Sequence, residues 1–457
     1  SVSAAWRISE ENFFKNSSIS SWFSNLKLRA SYGMMGDDNL GGLYPDFAYL
    51  SGYTYYKGQS LMPDDPFSSV KSKKVIGSAP KGIPVTTISW MKIKLMNVGI
   101  DFGFFDNRLT GEFDLFKRMR DGIPGTPSDI MFPLETGLSA LPENMNSDMT
   151  VGFDAFVKWN DKVGDLKYSV GANITFARQK NGKRHGEIFG NAWDKYRWAQ
   201  SNRWSNVVLN TDQGNAGGVW MWEVIGRFET QEQIDSYPVD QDGQNNATVR
   251  PGDVILRDVN GDGIINDFDE RPQAYASADW PWDSSTSNKN PLISMGINLG
   301  FEWKGFDVAA DFAGGFKNTF VADWDLKWGV TRSVNGYYYN NIDVWRHEDI
   351  FDPKSPWIPG KFPALRGQES HSGRWWNSFY TREVNYLRLR NLVVGYSLPK
   401  NWIRKVGMEQ CRIYFQGTNL FCLSSLHDYG FDPEISTVNG QDYPQHKVLT
   451  LGVNVKF

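Results

Sequence analysis

His446-Lys447-Val448-Leu449-Thr450-Leu451-Gly452-Val453-Asn454-Val455-Lys456-Phe457 closes the chain, and its reading decides the fold. Leu449, Leu451, Val453, Val455 and Phe457 fall on one side of an extended strand; Thr450, Gly452, Asn454 and Lys456 fall on the other. A period of two belongs to a sheet whose faces meet different media. The chain stops on an aromatic residue with no tail. Two architectures satisfy this strand taken alone: a sheet in a bilayer, and the last strand of a soluble sandwich. The other strands must choose.

Composition narrows the field. The chain has 457 residues and a net charge of -4, which gives no electrostatic footprint for nucleic acid. Mean hydropathy is -0.47, and no run of about 18 apolar residues exists, so a helical membrane protein is excluded. A β-barrel is not, because only alternate strand residues face lipid. Aromatic residues reach 15% with 19 Trp, the residue types that collect at membrane interfaces and on sugar-binding surfaces. Cys411 and Cys422 lie on one strand, about 35 Å apart if extended, so no disulfide joins them. The opening Ser1-Val2-Ser3 has neither initiator Met nor signal peptide, the look of a processed or cut chain.

Amphipathic strands recur. Over 26–33, Leu26, Leu28, Ala30 and Tyr32 oppose Lys27, Arg29 and Ser31. Over 149–159, Val151, Phe153, Ala155 and Val157 oppose Thr150, Gly152, Asp154 and Lys158. Residues 166–176 repeat the pattern. Residues 293–303 give its cleanest form, with Ile293, Met295, Ile297, Leu299, Phe301 and Trp303 against Ser294, Gly296, Asn298, Gly300 and Glu302. Residues 93–105 change parity near Asn97, which predicts a β-bulge there. These runs match the length of about 9–11 residues that crosses a bilayer, where soluble strands average about 5–6. Asp114, Asp154, Glu302, Asp307 and Asp311 keep to the polar parity, as the cost of a lipid-facing charge requires.

The links predict orientation. Short ones fall at Asp106-Asn107, Asn160 to Asp165 and Lys304-Gly305; long ones fall at 37–89, 121–146, 181–290, 321–380 and 424–445. Short inner turns alternating with long outer loops are the habit of outer-membrane barrels. The reading is an all-β fold, a transmembrane antiparallel β-barrel portion of about eleven strands with long extracellular loops. Phe457 then falls on the periplasmic side, and the terminal strand resembles the assembly signal of bacterial outer-membrane barrels.

Four stretches carry a closer resemblance. They are Ala30-Ser31-Tyr32-Gly33 running to Gly36-Asp37-Asp38-Asn39; Asn97 to Gly111; Tyr386-Leu387-Arg388-Leu389-Arg390-Asn391-Leu392 with Gly395-Tyr396-Ser397-Leu398-Pro399; and Asn419-Leu420-Phe421 with Gly430-Phe431-Asp432-Pro433-Glu434. Together they resemble the C-terminal half of a SusC/RagA-type TonB-dependent outer-membrane transporter, across residues 1–457. The resemblance implies a 22-stranded barrel with a plug domain, TonB energisation, a SusD-like surface lipoprotein as lid, and import of oligosaccharides or, in some members, peptides. The plug, the TonB-contacting segment and the N-terminal half of the barrel have no counterpart among these stretches, so energy coupling is assigned to no residue here.

Catalytic patterns are absent: His185, His347, His371, His427 and His446 lack ligand spacing, and there is no GxSxG or P-loop. No enzyme activity is expected. The long loops are rich in Trp, and Trp193, Trp198, Trp220, Trp222, Trp324, Trp328, Trp375 and Trp376 are candidate sugar-stacking residues, against the plainer reading of loop core or lipoprotein contact. Within the 181–290 loop, Asp258-Val259-Asn260-Gly261-Asp262-Gly263-Ile264-Ile265-Asn266-Asp267-Phe268-Asp269 sets oxygen ligands in calcium-loop order, with Gly at the turn. The expected ligands of a structural calcium are Asp258, Asn260, Asp262, the carbonyl of Ile264, Asn266 and Asp269; an ion-free Asn/Gly turn is the plainer alternative. Pro272 argues against an exiting helix, and Val254-Ile255-Leu256 reads as a strand. A secreted glycan-binding β-protein with a dockerin-like calcium loop is the competing functional class.

Overall fold

A computed structural model describes all residues except 39–48, 60–74, 81–82, 88, 126, 128–132, 134–140, 182–191, 194–195, 197–218, 275–290, 322–329, 332–333, 336–342, 365–376, 428–429, 435–442 and 444. Its frame is one sheet of eleven antiparallel strands in sequence order. They are β1 (Val2–Arg7), β2 (Phe23–Asp37), β3 (Met91–Phe104), β4 (Leu109–Gly125), β5 (Glu143–Val163), β6 (Leu166–Asn181), β7 (Ile293–Trp303), β8 (Phe306–Val321), β9 (Thr381–Ser397), β10 (Gln410–Ser424) and β11 (Val448–Lys456). β1 and β11 are not paired with each other, so the sheet has two open edges.

Several strands far exceed the sequence expectation, reaching 21 residues in β5. The excess explains the parity change in β3. Pairing runs unbroken from Arg29↔Gly99 through Ser31↔Asn97 to Met35↔Ile93, so the bulge expected at Asn97 does not exist. Lys92 and Lys94 instead share a face with Val98 and Ile100. The hydrophobic pattern inverts because the strand has left the hydrocarbon, and above that level the outer face meets water. Register shifts lie elsewhere: between Phe23 and Asn25, around Gly122, between Gly315 and Asn318, and at Arg390, which both flanking registers skip.

The turns follow from backbone preference. Lys304 and Gly305 take φ of 44° and 93°, a two-residue hairpin of the left-handed kind that suits strand twist. Between β5 and β6 the strands run on to Val163 and Leu166, so the link expected over Asn160 to Asp165 shrinks to Gly164 and Asp165. At this short-link end the apolar face turns aromatic. Trp22, Phe23 and Phe104 stack, and Phe306 meets Tyr396 at 4.5 Å. Rings gathered at one level mark a membrane interface.

At the other end, residues 219–274 fold into a compact unit. Val219–Met221 pairs with Arg271–Ala274, and Val224–Arg227 pairs with Val254–Leu256. Two small cores fill it: Trp222, Val254, Leu256 and Ile265, then Phe228, Ile234, Val249 and Ile255. Arg227 binds the carbonyls of Gly360 and Lys361, and Ser378 N–H donates to the Trp222 carbonyl at 3.0 Å. Two outer connections thus make one layer.

Candidate functional site: the polar wall and the outer-loop layer

The polar face of the sheet is a wall of paired charges. Arg29 reaches Asp101 at 2.6 Å and Asp114 at 2.9 Å. Arg120 pairs with Asp148, Arg412 with Asp307, and Asn298 donates to Asp311 at 2.7 Å. Two glycines make the longest of these spans possible. Gly99 lies between Arg29 and Asp114 in register, and a Cβ there would sit 2.2 Å from Asp114 Oδ1. Gly395 lies under the Arg412–Asp307 pair, where a Cβ would sit 2.5 Å from Arg412 Nη2. Each glycine lets an ion pair pass over a middle strand. Alternation alone marks Gly99 and Gly395 as polar-face positions; only the register reveals what crosses them.

At the rim two stretches quoted separately in the sequence meet. The bulge at Arg390 presents it beside Arg388, and Arg388 binds Asp432 at 2.6 Å. Arg390 pairs with Glu434, which also accepts the Tyr386 hydroxyl at 2.9 Å and the Gln445 amide at 2.9 Å. Arg388 is only 4% exposed. The segment Gly430–Glu434 is therefore held to β9 by buried charge, alongside a core of Phe320, Tyr380, Val384, Tyr386 and Leu426.

In the calcium-type loop the carboxylates accept backbone donors. Asp258 takes the N–H groups of Gly261 at 2.7 Å and Gly263 at 2.8 Å. Asp269, fully buried, takes those of Val259 and Asn266. The Asn260 and Asn266 amides donate to Asp262, and Asn266 also caps the short turn Asp267–Asp269. The Ile264 N–H and these two amides hold Asp262 below the usual carboxylate range. Among the described residues no three His, Cys, Asp or Glu side chains group closely enough to hold a metal.

A second carboxylate loop, absent from the sequence reading, braces the first. Asp240 N–H donates to the Gly263 carbonyl at 2.8 Å, and Ile265 N–H returns to the Asp240 carbonyl at 2.9 Å. Within it Asp242 accepts from Gln244, Asn246 and both donors of Thr248. Burial would raise the Asp242 carboxyl, but the Thr248 hydroxyl and the Thr248 and Gln244 N–H groups outweigh it and bring it to about 2. The spacing Asp240-x-Asp242-Gly243 was the available signal.

Of the candidate aromatic residues, Trp193 is half-buried, stacked on Tyr196 at 5.3 Å with Arg271 over its ring at 5.4 Å. Trp222 is packed in a loop core, its indole N–H donating to the Asn266 carbonyl at 2.8 Å. Trp220 lies on the strand Val219–Met221. Trp198, Trp324, Trp328, Trp375 and Trp376 lie outside the described residues.

A sheet of long strands with a lipid-compatible face, a charged face, short links at an aromatic end and folded loops at the other defines an outer-membrane β-barrel wall. No family model matches the chain. It is 23% identical over its whole length to the TonB-dependent receptor SusC of Bacteroides thetaiotaomicron, and 23% identical to a TonB-dependent receptor of Formosa agariphila. The chain spans 40% and 42% of those relatives. Among solved structures, the RagAB peptide importer in its open-open state superposes with a TM-score of 0.65 at 19% identity, over all of this chain and 42% of that one. The RagAB peptide transporter gives 0.61. The chain thus has the fold of part of an outer-membrane β-barrel and is similar in sequence to TonB-dependent receptors such as SusC.

Proposed function

We propose that the chain forms part of the wall and outer mouth of a TonB-driven importer of oligosaccharides, working under a SusD-like surface lipoprotein and having no catalytic role of its own. The observation that carries import is the two-faced sheet: an apolar face for lipid and a wall of paired charges that keeps an aqueous passage wet. Strands from elsewhere complete a ring of 22, and a plug within it takes the TonB force. The oligosaccharide reading rests on the Trp193–Tyr196 stack, with the Arg271 guanidinium over the Trp193 ring and the Tyr196 side chain exposed. The likeness to the RagAB peptide importer favours peptides as the second reading.

Mass spectrometry of material released from the complex purified with its lipoprotein tests both. Ions spaced by a sugar unit support the first, and a peptide ladder moves the assignment to the second. A complex without lipoprotein or bound cargo overturns both.

The loop Asp258–Asp269 is read as a structural calcium site. Ion binding there requires the Asn260 and Asn266 amides to rotate, bringing oxygen in place of the N–H groups that now face Asp262. The three ligand carboxylates, Asp258, Asp262 and Asp269, lie within twelve residues and repel one another, which a cation would offset. Metal analysis of wild type beside Asp258→Ala/Asp262→Ala, with proteolysis of the 219–274 unit with and without chelator, checks it. Equal protection leaves the hydrogen-bonded turn as the whole account.

A further inference from the structure

We propose that the link between β9 and β10, residues 398–409, is a binding site for the headgroup of an anionic phospholipid in the periplasmic leaflet. This rests on the outer-membrane placement and not on the identity of the cargo.

The link is built rather than loose. Pro399 precedes a helical turn over Lys400–Ile403, which continues through Arg404–Val406 and ends on Gly407 at φ 80°. Trp402 N–H bonds the Pro399 carbonyl at 2.9 Å, and Met408 N–H bonds the Ile403 carbonyl at 3.2 Å. Ile403 is buried at 4% exposure, whereas Trp402 beside it is 65% exposed. A large indole left in the open on a rigid support is costly in water, and natural at a lipid interface.

Charge then selects the lipid. Lys400, Arg404 and Lys405 are exposed, and none of them forms an ion pair among the described residues. Two carboxylates on or beside the adjoining strands already have partners: Glu409 pairs with Lys456 at 3.3 Å, and Asp307 pairs with Arg412. The neighbouring turn adds Lys304, whose ammonium lies 5.4 Å from the Trp303 ring centre. The link from β1 to β2 differs, since its Lys15 is paired with Glu10 at 2.7 Å. Continuity with the bilayer surface is direct. Trp303, Phe306, Tyr396, Ile413 and Val453 form one row of cross-strand partners on the apolar face, at the level from which the link departs. Unpaired cations beside exposed rings at this level match a phosphate with acyl chains attached, not a free anion.

Native mass spectrometry tests this on the protein extracted from its own membrane in mild detergent, with equimolar phosphatidylglycerol and phosphatidylcholine added. Phosphatidylglycerol is expected to be retained over phosphatidylcholine by about tenfold, with the preference collapsing in about 1 M salt. The Lys400→Gln/Arg404→Gln/Lys405→Gln variant is expected to lose the preference with unchanged heat-modifiable gel mobility. Trp402→Ala is expected to weaken retention of both lipids. Equal retention by the wild type overturns the proposal; so does a preference that survives the triple substitution. If the triple variant does not assemble, the salt series decides, and a preference that persists at high salt overturns the proposal. A link that serves a soluble acidic partner would also show equal lipid retention.

Discussion

Asp242 is 5% exposed and collects four donors, so its charge is an organising element of the outer-loop unit. Its folded value of about 2 lies below the ordinary 3.8. A depressed acid contributes stability above its unfolded value and loses it as pH falls through the folded one. Asp242→Asn is therefore expected to cost about 1.5–3 kcal/mol near neutrality. Hydrogen exchange at Gln244, Asn246 and Thr248 reads the difference from wild type, which should shrink between about pH 4 and 2; a constant difference would count against charge as the cause. Gly395→Ala makes a second prediction. The added methyl enters the space of the Arg412–Asp307 pair, at an expected cost of about 1–3 kcal/mol. In a cycle with Asp307→Asn the two losses should not add, because both remove one interaction.

The strand faces make a prediction at the scale of the element. Ile297 faces Ala172 and Phe312 on the apolar side, and Asn298 faces Gly171 and Asp311 on the polar one. Ile297→Arg is expected to cost about 2–4 kcal/mol and to prevent assembly. Asn298→Arg gains a carboxylate partner and is expected to insert normally. Heat-modifiable mobility of membrane fractions separates the two, and equal effects would mean the faces are misassigned. Phe457 lies just beyond β11 and is 78% exposed. Its deletion should reduce the amount inserted while leaving the assembled barrel unchanged, as quantitative blots against melting of the inserted fraction would show.

At the scale of the molecule the open edges dominate. On β11, Leu449, Leu451 and Val453 are 65%, 77% and 57% exposed, and one side of its backbone is unpaired. Each unpaired group in hydrocarbon costs several kcal/mol, so eleven strands alone are not a membrane structure. Expressed by itself the chain is expected to aggregate, and co-expressed with strands that close the ring it is expected to insert. A detergent-stable, heat-modifiable species from this chain alone would refute that.

The strands, their faces and their meander order were legible from sequence because alternation is local: each residue's parity follows from its neighbours and from the medium its face must meet. The terminal strand and the run Ile293–Trp303 needed nothing further. The same locality misled at Asn97, where a strand emerging from lipid imitates a bulge, since pattern records the medium and not the backbone. The contacts that fix the candidate sites were not legible. Arg388 and Asp432 are 44 residues apart, Arg29 and Asp114 are 85 apart, and the bond from Asp240 to Gly263 joins two loops. Register across the sheet decided which charges meet, because a shift of one residue would carry every one of them to the opposite face.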